Sequence, residues 1–68
     1  MPLLNRNKLK EQRERKGISV IEMAGALGID RTTYFKKENG SRPFNDSELG
    51  IVFTKLGIDK KDWGSYFF

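Results

Sequence analysis

The feature that most constrains this chain is a regular alternation of glycines with residues that begin helices. Glycine readily adopts the left-handed conformation that ends a helix, and the side chains of Ser, Asn and Asp accept hydrogen bonds from first-turn amides. The glycines Gly17, Gly28, Gly40 and Gly57 are followed by Ser19, Asp30, Asn45 and Asp59, respectively. This spacing leaves room only for short helices.

Two of these starts are reinforced three residues later by a glutamate. Ser19 with Glu22 and Asn45 with Glu48 both fit the capping box, in which two side chains satisfy two free amides reciprocally. The fourth helix then carries an apolar stripe of period 3.6, made of Leu49, Val52, Phe53 and Leu56. No alternating pattern typical of strands appears. The sequence predicts an all-α fold of four to five short helices in a single domain, residues 1–68, with Asp59 capping a short final turn.

The third helix, predicted from Asp30 to about Asn39, has unusually little apolar surface. Its only apolar residues are Tyr34 and Phe35, which are adjacent. A helix that packs through its own apolar stripe shows three or four such residues in two turns. We therefore expect most of this helix to face something outside the domain.

Composition restricts the chemistry. The 68 residues include no cysteine and no histidine, which removes disulfides, thiolate zinc sites and the commonest general base. A domain this small gains only roughly 3–5 kcal/mol from its core. There is also no glycine-rich phosphate loop and no membrane-length apolar stretch. We predict a cytoplasmic protein that is not an enzyme, with no cofactor, no metal and no membrane partner.

The charge is concentrated in two basic blocks. The net charge is +4, with +4 in residues 1–16 and +3 in residues 31–42, balanced by acidic segments elsewhere. Such blocks favour a polyanionic partner, although an ordinary solvated surface would show the same pattern. Within the first block, Arg6, Lys8, Lys10 and Arg13 are interpreted as a solvated face.

The second and third helices are separated by about three residues including Gly28, which is typical of a helix-turn-helix over residues 19–39. Ala24 is small enough for the two helices to cross closely, and Ile29 can fill the turn. In such a motif the second helix can lie in the major groove of DNA. This explains a third helix that is mostly polar.

The stretch "LKEQRERKGISVIEMAGALGIDRTTYFKKENGSRP" resembles the Xre or Cro/phage-repressor family of helix-turn-helix regulators. The resemblance rests on the basic first helix ending at Lys16–Gly17, on Met23–Ala24, on Leu27–Gly28–Ile29 and on Glu38–Asn39–Gly40. Similar spacing continues to Asp62–Trp63, so that residues 7–63 are covered. The resemblance implies a repressor-like fold and a DNA-binding regulator of phage or mobile-element type that acts as a homodimer on double-stranded DNA.

The resemblance also implies site residues. The base-contacting positions fall on Arg31, Thr32, Thr33 and Lys36. Arginine can bind guanine O6 and N7 bidentately, and threonine can bond to a base or touch a thymine methyl group. The expected contacts to the DNA backbone are Ser19, Val20, Asn39, Ser41 and Arg42, with a helix C-cap role as an equal reading of Asn39. Helix N-termini attract phosphates without a charged side chain. Glu38 is interpreted as a structural hydrogen-bond or salt-bridge partner.

Two positions of the third helix depart from the family pattern. Position 37, normally apolar and inward, is Lys37, whose alkyl stem can lie along the core while its ammonium reaches water. Position 35, normally polar and outward, is Phe35, whose exposed ring can contact thymine methyl groups or bind a protein. The chain also ends in "WGSYFF". We predict a partner interface at Phe35, Trp63, Tyr66, Phe67 and Phe68, with packing of the tail onto its own core as the competing reading. These aromatic residues favour an alternative function, an antirepressor or modulator that binds a partner repressor protein.

Overall fold

The structure, a computed structural model, describes residues 3–68. Four α-helices are followed by a 3-10 helix. They are α1 (Arg6–Arg15), α2 (Val20–Leu27), α3 (Arg31–Asn39), α4 (Asp46–Lys55) and the C-terminal 3-10 helix (Lys60–Tyr66). The described residues contain no strand, only an isolated antiparallel bridge between Leu4 and Phe67. The predicted all-α fold of four to five short helices is confirmed.

The predicted helix ends are also confirmed where they depend on local chemistry. Both capping boxes form, at the starts of α2 and α4. Asp30 caps α3 through the amide of Thr33. At the other ends of α2 and α3, Gly28 and Gly40 have φ of 70° and 98°, which residues with a side chain rarely adopt.

The C-terminal helix differs from its prediction. It extends over seven residues instead of a short turn, and the side chain of Asp59 makes no capping hydrogen bond. The predicted Asp59 cap is therefore wrong. The physical reason is that the backbone carbonyl of Asp59 accepts from the amide of Asp62 at 2.8 Å, an i to i+3 bond that starts a 3-10 helix without a side chain.

The core lies where α2 meets α3 and α4, while α1 closes it by packing on α3 and on the C-terminal helix. Its buried apolar residues are Leu9, Met23, Ala24, Tyr34, Val52, Phe53, Leu56 and Tyr66. Ala24 is buried on α2, as expected for a close helix contact, and Ile29 of the turn is half-buried against this core.

The aromatic tail mostly belongs to the core. The ring of Phe53 lies 5.2 Å from that of Trp63, 5.4 Å from Tyr66 and 6.3 Å from Phe67, between ring centroids. Tyr66 is buried, so its predicted role in a partner interface is corrected: apolar burial against Phe53 takes up its surface. Phe68, 81% exposed, is the most exposed of these residues, while Trp63 and Phe67 are half-buried.

No helix among the described residues is both long and apolar enough to cross a membrane.

Candidate functional site

One aromatic residue anchors α3 in the core. Tyr34 is completely buried, and its ring meets that of Phe44 edge-on at 6.0 Å between centroids. Its hydroxyl group finds no hydrogen-bond partner among residues 3–68. Burial raises the pKa of the Tyr34 hydroxyl far above its usual value, with the nearby Glu38 carboxylate adding to the shift. Tyr34 therefore remains neutral, and its role is to pack in the core.

A buried ion pair joins α3 to α1. Arg13 donates from Nε to Glu38 Oε2 at 2.9 Å and from Nη2 to Glu38 Oε1 at 3.0 Å. The residues are 8% and 4% exposed, and the remaining guanidinium nitrogen donates to the carbonyl of Ile18 at 2.8 Å. The hydrogen bond to Glu38 raises the pKa of Arg13 above its usual value. The structural role predicted for Glu38 is confirmed.

The interpretation of Arg6, Lys8, Lys10 and Arg13 as a solvated face is wrong for three of these four residues. Arg13 is buried, and Lys8 donates to Ser65 while its ammonium lies 4.4 Å from the centre of the Tyr66 ring. Arg6 is half-buried and donates from Nη1 to the carbonyl of Lys37. Lys10 alone of the four is exposed. Each of these three cations contacts a carboxylate, a carbonyl or an aromatic ring, and this contact compensates for the loss of hydration on burial.

Lys37 also fixes the position of α3. We call the polar contacts of Arg6, Arg13 and Lys37 that hold this helix the clamps on α3. Its ammonium donates to Glu48 Oε1 at 3.0 Å and to the carbonyl of Pro43 at 3.1 Å. The side chain is only 14% exposed, so most of it lies against the protein, as expected for the alkyl stem. Lys37 takes the inward place that an apolar residue would occupy and ties α3 to the capping box of α4.

The side of α3 opposite these clamps is open to solvent. Arg31, Thr32, Phe35 and Lys36 are all exposed, with Phe35 at 52%. Two cations therefore stand on one outward surface of a helix whose own carboxylate, Glu38, faces inward. We call the surface formed by Arg31, Thr32, Phe35 and Lys36 the outer face of α3.

Thr33 lies at the edge of this face and is occupied locally. Its hydroxyl donates to Asp30 Oδ1, and its amide donates to Asp30 Oδ2 at 3.3 Å. The hydrogen bond from the Thr33 hydroxyl lowers the pKa of the Asp30 carboxyl below its usual range. A base contact by Thr33, which the sequence predicts, would compete with this cap.

The predicted contacts to the DNA backbone occupy the two ends of the helix-turn-helix. At the start of α2, the Ser19 hydroxyl accepts from the Glu22 amide at 3.0 Å, and the Ser19 amide donates to the Glu22 carboxylate at 3.3 Å. The donors that remain for an anion at this end are the next amides, those of Val20 and Ile21. Amides at these positions lack intrahelical acceptors in any α-helix.

After α3, the chain turns in a compact loop. Asn39 Oδ1 accepts from the Ser41 amide at 3.0 Å, and the Arg42 amide donates to the Lys36 carbonyl at 3.1 Å. The side chains of Ser41 and Arg42 remain exposed. Asn39 thus shapes the loop that presents the Arg42 cation.

A cleft of about 410 Å³ lies beside the outer face, where α2 begins. Val20, Arg31, Thr32 and Phe35 line it. The cleft brings together one residue predicted to contact the backbone, two predicted to contact bases and one predicted to bind a protein.

The burial of Arg13 and its pairing with Glu38 were missed from the sequence. Its partner, Glu38, is 25 residues away, so no local pattern connects them. A signal was nevertheless present, since Arg13 lies one helical turn after Leu9 and therefore on the same face of α1 as a core residue.

Among residues 3–68, no group of His, Cys, Asp and Glu is suited to hold a metal ion.

Comparison with protein families gives one match. A family model described as "Helix-turn-helix", of the Xre-like kind, matches residues 9–63. No curated protein and no solved structure gives a significant match. The match begins within α1 and ends in the middle of the C-terminal helix, so it includes both ion pairs that hold α3 but not Arg6.

Proposed function

The chain belongs to the Xre-like helix-turn-helix family of DNA-binding regulators, and from this premise we propose that it reads a specific operator with α3 in the major groove. The observation that carries the proposal is the outer face of α3, which is basic and exposed while the rest of the helix is clamped inward. A rigid helix with free polar side chains is what direct reading of base edges requires.

Within the proposal, the exposed side chains have different roles. Arg31, at the first turn of α3, binds a guanine through O6 and N7, while Lys36 and Thr32 contact neighbouring bases. Arg42 and the Ser41 hydroxyl contact phosphates from the loop, and Asn39 supports that loop. The amides of Val20 and Ile21 take a phosphate at the start of α2. The primary role of Thr33 is in the cap of α3, because its hydroxyl already donates a hydrogen bond to Asp30.

We extend the proposal to a homodimeric repressor of phage or mobile-element type that acts in the cytoplasm. A helix-turn-helix dimer reads two half-sites about one turn of DNA apart. Phe68 is the tail residue free to contribute to such a dimer, because Tyr66 and Phe67 pack on Phe53.

Sedimentation at matched concentrations tests the dimer. We expect Phe68→Ala to shift the chain toward the monomer with its melting temperature unchanged. In contrast, Phe67→Ala should lower the melting temperature, since it removes part of the core. An unaltered mass for Phe68→Ala would exclude the tail as the dimer contact.

Salt dependence of duplex binding tests the function itself. Each phosphate neutralised contributes roughly −0.9 to the slope of log K against log salt. Fluorescence anisotropy with a duplex selected from random DNA should show a steep slope for the wild type. Arg42→Ala should weaken all sequences about equally and make the slope shallower by about one unit. Lys61→Ala, an exposed cation on the C-terminal helix, is the matched control and should change neither. Weak binding that is insensitive to salt would contradict a DNA reader.

One observation favours a second function. Phe35 exposes 52% of its surface, and buried aromatic residues dominate contacts between proteins. In an antirepressor that binds a partner repressor, Phe35→Ala would be the most damaging change, while Arg31→Ala and Arg42→Ala would matter little. A pull-down with these three variants, run beside the anisotropy series, separates the two functions by the order of their effects.

A further inference from the structure

The cleft beside α3 is the one place on the outer face where apolar groups converge. Phe35 and Val20 line it together with Thr32, whose side chain carries a methyl group, and Arg31, the only charged residue of the lining. No carboxylate lines the cleft. A site of this composition suits a small apolar group that is attached to something polar and rich in acceptors.

DNA offers only one such group to a helix in the major groove. The C5-methyl group of thymine is the apolar feature of the base edges there, and guanine presents the acceptors O6 and N7 that arginine binds. We propose that the cleft receives the C5-methyl group of a pyrimidine next to a guanine bound by Arg31. This inference rests on the proposed function and names the base step that the same site prefers.

The position of Phe35 supports this occupant over a protein. Arg31 and Lys36 stand on the same outer face, so a partner that buries Phe35 must also accept two cations. A DNA groove satisfies both conditions, because phosphates surround it and the methyl group projects into it. Burying the methyl group against Phe35 and Val20 removes apolar surface from water on both sides.

Two bases carry this methyl group, thymine and 5-methylcytosine, and paired substitutions distinguish them. In a duplex selected by the wild-type protein, each thymine is replaced in turn by deoxyuridine, which lacks only the methyl group. We expect binding to weaken about fourfold at one position beside a guanine, the effect of losing one buried methyl group. At that position, 5-methylcytosine should bind about fourfold more tightly than cytosine for the same reason. Whichever methylated base binds more tightly at that position is the one that the cleft prefers.

Phe35→Ala provides the decisive comparison. This variant should discriminate between the thymine and deoxyuridine duplexes less than the wild type does, because only Val20 and Thr32 remain to contact the methyl group. Ile51→Ala is the matched control, because Ile51 is an aliphatic residue 42% exposed on α4 that does not line the cleft. It should keep the fourfold discrimination.

Several results would overturn the inference while leaving the proposed function intact. They are salt-dependent binding with no effect of any methyl group, full fourfold discrimination in Phe35→Ala, or equal loss of discrimination in Ile51→Ala. Absence of duplex binding would overturn both, and a partner protein that depends on Phe35 would then be the occupant.

Discussion

The helices α3 and α4 are of similar length, nine and ten residues, yet they are held in opposite ways. The helix α4 buries Val52 and Phe53 and continues directly into Leu56. In contrast, α3 buries one aromatic residue, Tyr34, and is otherwise held by charged side chains. These are the ion pairs Arg13–Glu38 and Lys37–Glu48 and the hydrogen bond from Arg6 to the Lys37 carbonyl.

The difference shows how a small domain can present a mostly polar helix in a fixed orientation. Apolar burial is non-directional, whereas a bidentate arginine–carboxylate pair fixes the geometry of both partners. With Tyr34, Lys37 and Glu38 directed inward, Arg31 and Lys36 remain free on the outer face. We infer that α4 supplies stability and that the clamps on α3 supply orientation.

The largest loss of stability is expected from a substitution in the apolar core that holds α4. Phe53→Ala removes the ring that Trp63, Tyr66 and Phe67 pack against, and core changes of this kind cost about 3–5 kcal/mol. Since a domain of this size has roughly that much stability in total, the variant should be largely unfolded by circular dichroism. Ile51→Ala, on the exposed side of the same helix, should remain folded. A well-folded Phe53→Ala protein would show that α4 is not the main source of stability.

The polar side of the comparison is tested by Glu38→Ala. It leaves the buried Arg13 charge without its carboxylate, which costs about 3 kcal/mol in comparable cases. The double variant Arg13→Met with Glu38→Leu replaces the pair by apolar groups and should recover most of this loss. Denaturant melts measure both, with Glu11→Ala as an exposed control on α1.

If our interpretation of the pair as an orienting clamp is right, the double variant will be stable but will bind its selected duplex more weakly. Equal affinity in the double variant and the wild type would mean that Tyr34 and Lys37 suffice to orient α3.

A smaller effect is expected at the second clamp, and it depends on pH. The Asn45 amide, and to a lesser extent Lys37, lowers the pKa of the Glu48 carboxyl. The folded state therefore keeps Glu48 charged at pH values where the unfolded state is already protonated. The resulting stability is complete above the ordinary glutamate pKa and is lost as the pH falls through the lower folded-state value.

Thermal melts over the acid range check this sign. Glu48→Gln should flatten part of the acid loss of stability. Lys37→Met should reduce stability by about 1 kcal/mol or less at neutral pH and leave most of the acid loss in place, because the Asn45 amide is the larger cause. An acid loss removed entirely by Lys37→Met would reverse this order of causes.

Prediction from sequence worked for the fold wherever the deciding interactions were local. Ser19 with Glu22 and Asn45 with Glu48 are three residues apart, so their capping boxes could be read directly. Asp59 follows a glycine as the other capping residues do, but its helix is a 3-10 helix started by a backbone bond. For Tyr66, composition could not distinguish an aromatic interface from an aromatic core, because that depends on where Phe53 lies.

The candidate site was predictable in outline for a different reason. The lack of an apolar stripe in α3 indicated an outward polar face, and Arg31, Thr32 and Lys36 are exposed as that requires. The means of holding α3 were not predictable, since Arg13 and Glu38 are 25 residues apart. A charged residue on a helix is exposed in most proteins, so its burial must be learned from the structure.

The central claim is that α3 is fixed from inside so that its outer face can read DNA, and Arg31→Ala tests it most directly. We expect its melt to match that of the wild type, because Arg31 is exposed and makes none of the clamps. Its affinity for the selected duplex should fall by about 1–3 kcal/mol, with relaxed preference at one base position. Lys55→Ala, which removes an exposed cation from the end of α4, should alter neither quantity. Equal affinity in Arg31→Ala and the wild type, or an equal loss in Lys55→Ala, would contradict the claim.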